Sequence, residues 1–275
     1  MEVGGRRLFM RTATGDGPPL LFLHGYPSSS YDWRHLLELL PGRRAVCFDF
    51  LGFGLSEKPR DHVYSLLDQA DLVEGVVRLL GTDRVVLVAH DMGTSVATEL
   101  LARDVDGRLP FRLLSVLLLN GSMVIERASL TTSQKVLRSR FGVVAARLSN
   151  ERSFRAGFGR LFSTDHPLTP EEAADQWSLL AYAGGNRILH RLTYYLHERV
   201  TFAKRWHGAL RDWGGQLDLA WAMRDPVATG AVLSAVCELR PRAPVTRFPE
   251  LGHYPQLEAP EALAPVVAGL TGVAG

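Results

Sequence analysis

The feature that most restricts this chain's fold is an alternation of short apolar runs, each bounded by glycine or a polar turn, with segments of helical spacing. Leu20 to Leu23 runs into His24-Gly25, and Ala45 to Phe50 into a glycine-rich loop. Between Leu67 and Leu80, apolar residues at 67, 72, 73, 76, 79 and 80 follow the period of a helix, which Gly81-Thr82-Asp83 then breaks. Val85 to Ala89 is an uninterrupted apolar run, Thr94 to Arg103 reads as helix, and Leu113 to Leu119 is again apolar apart from Ser115. A strand apolar on both faces needs cover on both, and a mostly parallel sheet flanked by helices supplies it. After Asn120 the alternation stops, and residues 122 to 208 carry helix-like segments and loops rich in Arg, Trp and Tyr. It returns at Leu217 to Met223, Val227 to Leu239 and Val245 to Phe248. The expected organisation is an α/β core from 1 to 121, a helical cap from 122 to 208, and the rest of the core from 209 to 275.

Composition narrows the function classes. With 46% hydrophobic and 22% charged residues the chain is an ordinary globular one, and a net charge of +2 gives no footprint for nucleic acid or an anionic surface. Its longest apolar runs are too short to span a bilayer, and MEVGGRRLFM lacks an apolar signal core, so a cytoplasmic protein without membrane insertion is expected. Cys47 and Cys237 read as free, buried thiols. No His/Cys cluster has metal-ligand spacing, so neither metal nor cofactor is expected. A monomer and a homodimer are both compatible with the chain.

Four pieces lie at expected strand ends, where open parallel sheets hold their ligands. Ala89-His90-Asp91-Met92-Gly93 joins the strand at Val85 to the helix at Thr94, the context of a nucleophile elbow with Asp91 in the serine position. By itself this could be a plain helix N-cap. Asp225-Pro226 follows the strand at Leu217, and Gly252-His253 follows the last strand, so nucleophile, acid and histidine come in the order usual for such triads. His24-Gly25-Tyr26-Pro27 follows the first strong strand, and the amides of Tyr26 and Met92 would form an oxyanion hole.

These residues carry a family resemblance. HGYP, the loop DFLGFGLS from Asp49 to Ser56, and HDMG resemble the motifs of epoxide hydrolases and haloalkane dehalogenases of the α/β-hydrolase fold. HGYPSSSYDW, DFLGFGLSEKPR, HYPQLEAP and Lys204-Arg205-Trp206 look closer still to the mesoderm-specific transcript proteins and their bacterial relatives. The resemblance implies a hydrolase whose nucleophile Asp91 forms an alkyl ester, with His253 activating water and Asp225 orienting His253. An aspartate suits an sp³ carbon bearing a leaving group; attack on an ordinary ester would give an anhydride. Dehalogenases of the family typically place a Trp after the nucleophile and often an Asn after the HG pair, where this chain has Met92 and Tyr26. Epoxide hydrolases use cap tyrosines as proton donors. Tyr195, 30 residues before Asp225, takes that role by resemblance, with Tyr182 or Tyr194 as a second donor, since only Ser139 and Phe141 stand where the family's first cap tyrosine falls. The expected substrate is a small apolar epoxide, opened to a vicinal diol. Haloalkane dehalogenation and a non-catalytic ligand-binding role are the alternatives. His90 is expected to orient the elbow, the Asp49 loop to shape a turn, Trp33, Trp206, Trp213 and Trp221 to pack, and Trp177 to face the pocket.

Overall fold

The computed structural model describes residues 1–270. A small hairpin of β1 (Glu2–Val3) and β2 (Arg6–Arg7) precedes β3 (Met10–Ala13), β4 (Asp16–Leu23), β5 (Arg43–Phe48), β6 (Arg84–His90), β7 (Arg112–Leu119), β8 (Gln216–Ala222) and β9 (Val245–Phe248). The last seven form one sheet in the order β3-β5-β4-β6-β7-β8-β9. β3 pairs antiparallel with β5, and every other neighbouring pair is parallel. Side chains on successive strand positions divide between two cores. Leu21, Leu23, Leu87, Ala89, Val116 and Leu118 face one, and Leu20, Phe22, Val86, Val88, Leu117 and Leu119 face the other. This is why the central strands read as continuous apolar runs.

Around the sheet lie α1 (Arg34–Glu38), α2 (Leu66–Leu79), α3 (Met92–Val105), α11 (Gly230–Leu239), α12 (Pro255–Glu258) and α13 (Pro260–Ala268). Between β7 and β8 the described residues form helices only: α4 (Thr132–Leu137), α5 (Gly142–Leu148), α6 (Glu151–Phe158), α7 (Pro170–Ala181), α8 (Leu189–Leu192), α9 (Tyr195–Thr201) and α10 (Ala203–Asp212), with short 3₁₀ turns. The expected boundary at 208 falls inside α10, which packs along α3 of the core. No helix among the described residues is long and apolar enough to cross a membrane. Cys47 and Cys237 are free thiols, the first buried and the second half-buried.

Three polar seams fasten the insertion. Glu99 of α3 is buried and accepts from Arg103 Nε (3.1 Å), Arg205 Nε (2.9 Å) and Trp206 Nε1 (2.9 Å), so α10 is tied to α3. Glu198 of α9 caps α2, accepting from Ser65 Oγ and the Leu66 amide, both at 2.6 Å. On the other side, Gln176 of α7 donates to Asp32 at 2.8 Å, and Arg34 pairs with Glu172. Trp33, Trp206, Trp213 and Trp221 are all buried, while Trp177 is half-buried and packs on Phe154.

Asp32 is wholly buried in the α7 seam. Burial pushes its carboxyl up to about 7, against the hydrogen bonds from Ser28 and Gln176. An acid held more tightly protonated in the folded chain than in the unfolded one costs stability as pH rises between the two pKa values. Relative to Asp32→Asn, the wild type should therefore lose on the order of 2 to 4 kcal/mol of stability between about pH 4 and about pH 8, read from denaturant melts at each pH. Parallel pH profiles for the two proteins would remove Asp32 as the source.

Candidate active site

Loops from the C-terminal ends of β4, β6, β8 and β9 meet at one place. Leu23 pairs with Ala89, and Leu119 pairs with both His90 and Ala220, so the strands end almost level. Asp91 links β6 to α3 with φ 45° and ψ −111°, a conformation that residues with side chains seldom adopt. Its N–H donates to the Leu119 carbonyl at 3.2 Å, and its own carbonyl accepts from the Thr94 amide at 3.1 Å. Two glycines permit the close packing. A Cβ on Gly93 would lie 2.7 Å from the Leu23 and His24 carbonyl oxygens, and one on Gly25 would lie 2.7 Å from the Asp91 Cβ.

Asp91 is 3% exposed. The Tyr26 amide donates to Oδ2 at 2.9 Å, and Arg199 Nη2 stands 3.6 Å from Oδ1. Burial would raise the carboxyl pKa, but Arg199, His253, His90 and the Tyr26 amide outweigh it and hold it below the ordinary carboxylate range. Met92 opens α3, so its N–H is among the amides with no acceptor inside the helix.

His253 is 2% exposed, and its Nδ1 lies 2.6 Å from Asp225 Oδ2. Asp225 also accepts from Asn120 Nδ2 at 2.8 Å and from the Val227 and Ala228 amides at 2.6 and 3.0 Å. With Nδ1–H donated to Asp225, Nε2 is the ring nitrogen left to take a proton. Burial lowers the His253 pKa, but the charges of Asp225 and Asp91 prevail and raise it. His90 is buried, and its Nε2 meets the His253 carbonyl at 2.7 Å while Nδ1 meets Gln256 Nε2 at 3.1 Å. Burial and the neighbouring His253 push His90 down to about 3, so it is a neutral brace for the His253 loop. Beneath these loops Asp49 accepts from the Ser30 amide at 2.8 Å and the Leu55 amide at 2.7 Å, closing the turn.

Tyr195 begins α9 and is wholly buried. Its ring lies 5.6 Å from that of Tyr26, and its hydroxyl accepts from Gln134 Nε2 at 2.8 Å. Burial and the Asp91 charge raise its pKa, so the phenol keeps its proton. Tyr182 and Tyr194 do not join it. They are 51% and 39% exposed, Tyr182 beside the Lys58 ammonium and Tyr194 beside His197. Adjacent helical residues point about 100° apart, so with Tyr195 inward Tyr194 turns out. Tyr182 ends α7, where Ala183 (φ 51°) and Gly184 (φ 78°) turn the chain at the surface. Ser139 and Phe141 are also exposed.

Three residues of this site escaped the motif reading: Asn120, Gln134 and, above all, Arg199. Arg199 is 1% exposed and sits one helical turn after Tyr195, with its Cζ 4.6 Å over the Tyr195 ring. The four-residue spacing of two large polar side chains on one helix face was the available signal.

Residues 18–260 match the model of a family described as having the α/β-hydrolase fold. The chain is 58% identical over 264 residues to LipZ, a candidate hydrolase of Mycobacterium tuberculosis, covering 96% of this chain and 92% of that protein. It is 35% identical over 270 residues to the mesoderm-specific transcript protein of Mus musculus, covering 93% and 80%. The crystal structure of haloalkane dehalogenase DbeA from Bradyrhizobium elkani superposes with a TM-score of 0.81 over 98% of this chain and 95% of that one; at 24% identity the likeness speaks for the fold alone.

Removing the negative charge that faces His253 Nδ1 should lower the imidazole pKa. In Asp225→Asn, NMR titration of His253 should show the midpoint moved down from wild type; an unmoved midpoint would mean that Asp225 does not hold the ring's charge.

Proposed function

This chain belongs to the α/β-hydrolase-fold family, and within it we propose an epoxide hydrolase that works through an ester of Asp91. One observation carries the reading: a buried carboxylate stands at the elbow, with one oxygen held by a backbone amide and a protonated, buried phenol close by. A carboxylate attacks carbon, and the epoxide is a carbon electrophile whose leaving oxygen needs a proton. Asp91 Oδ1, the oxygen not held by Tyr26, attacks a ring carbon; the C–O bond opens, and Tyr195 gives its proton to the oxygen released. His253 Nε2 then takes a proton from water, and the hydroxide adds to Cγ of the ester. Asp225 stabilises the imidazolium, and the Tyr26 and Met92 amides hold the oxyanion that forms on Oδ2. The Cγ–Oδ1 bond breaks, so Oδ1 leaves in the diol and the water oxygen stays on Asp91. Dehalogenases of the family typically offer a halide the side-chain N–H donors of a Trp and an Asn, and the side chains of Tyr26 and Met92 at those positions supply none.

An assay of aromatic and aliphatic epoxides beside haloalkanes tests this. Diol should form, disappear in Asp91→Ala, and fall by ~10²–10⁴-fold in Tyr195→Phe. In a single turnover in ¹⁸O-water the label should enter Asp91 and not the diol. Diol from Asp91→Ala, or label in the first diol, would refute the ester route, and halide release exceeding diol would move the assignment to dehalogenation. The pH dependence has a defined sign. Ester hydrolysis needs neutral His253, whose pKa is raised, whereas Asp91 stays ionised into acid. At about pH 5 alkylation should therefore outrun hydrolysis and the ester should accumulate, visible by mass spectrometry of the quenched protein. Accumulation at high pH instead would contradict the role of His253.

A further inference from the structure

Opening an epoxide or displacing a halide moves a full negative charge off Asp91. Before attack, Arg199 and Asp91 form a buried ion pair, with Nη2 3.6 Å from Oδ1. The guanidinium is fixed in place: Nε donates to Ser95 Oγ at 2.8 Å, Nη2 donates to the Asp91 carbonyl at 3.2 Å, and Cζ stands over the Tyr195 ring. It stays charged throughout, because an arginine does not give up its proton in a protein. Once Oδ1 has bonded to carbon, Asp91 is a neutral ester and Arg199 is a buried cation without its counter-ion. Such a cation is costly unless another anion replaces the lost one.

We propose that Arg199 is the acceptor of the charge that leaves Asp91, holding beside the new ester either the epoxide oxygen as it is released, whose charge passes to the Tyr195 phenolate, or a halide. The proposal extends the alkyl-ester reading above and assigns to Arg199 the place that a second phenol would fill. Its partner in this task is Tyr195. The guanidinium over the ring favours the phenolate, and the Asp91 charge opposes it. Alkylation removes only the opposing charge, so Tyr195 becomes a better acid when the alkoxide appears. The bookkeeping of protons closes. The Tyr195 proton goes to the epoxide oxygen, the water proton taken by His253 goes to the second diol oxygen, and the carboxylic acid left on Asp91 returns its proton to the Tyr195 phenolate.

A neutral residue at 91 imitates the ester, so the proposal can be tested without any substrate. Asp91→Asn should bind bromide at Arg199, seen as an anomalous peak in bromide-soaked crystals and as a saturable change in tryptophan fluorescence. Wild type and the charge-free double variant Asp91→Asn/Arg199→Met should each bind it at least about tenfold more weakly. Equal bromide binding by Asp91→Asn and the double variant would overturn the proposal, whatever the enzyme's substrate proves to be. With styrene oxide, Arg199→Met should slow alkylation of Asp91 by ~10²–10³-fold, and Arg199→Lys, which keeps the charge, should recover part of that. Circular dichroism of each variant separates this from misfolding. Alkylation by Arg199→Met at the wild-type rate would also overturn it. A wild type that is never alkylated by an epoxide would instead sink the functional reading, with the bromide arm still deciding on Arg199.

Discussion

A carboxylate shut away from water keeps its charge only if its neighbours supply what water would have supplied. At Asp91 the Tyr26 amide, Arg199 and His253 do so, and each comes from a different part of the chain. The β4 loop brings the amide, the insertion brings the guanidinium, and the loop after β9 brings the His253 ring. The position of this one charge thus explains why β4 and β6 must end level and why α9 must lie against the core. It also explains the glycines at 25 and 93, whose missing side chains let those pieces approach.

At its α10 edge the insertion is held both by apolar packing of Trp206, Ala209 and Leu210 and by charge. Glu99 has two arginines and an indole N–H around it, and its carboxyl is held below the ordinary range although burial works the other way. Glu198 performs a related service for α2, whose first amide, that of Leu66, would otherwise lack an acceptor. Both contacts bear on α9 and α10, so the segment that carries Tyr195 and Arg199 is anchored at two points on the core. A side chain that must meet a reacting atom within a fraction of an ångström needs that kind of support.

Much of this was legible in the sequence, for reasons that differ between parts. The central strands announced themselves because they are buried on both faces, and their flanking turns located Asp91, Asp225 and His253 in the loops that the structure brings together. The edge strand Met10–Ala13 left no such mark, since two of its four residues are exposed and two half-buried. Inside the insertion, helical character was readable but the inward face was not. Tyr182, Tyr194 and Tyr195 are alike in composition, and only the docking of α9 separates the buried one from the exposed two. Arg199 was hidden by the same fact: an arginine beside many others becomes distinctive only once its surroundings exclude water.

The backbone of Asp91 has a further implication. At φ 45° and ψ −111° a glycine would fold with less strain, and it would also remove a buried charge that its neighbours must balance. The same substitution would leave Arg199 a buried cation with no counter-ion, which offsets what the relaxed backbone gains. The strained backbone, the carboxylate and the guanidinium are thus bound together: none can be relaxed alone without leaving a charge buried and unmatched.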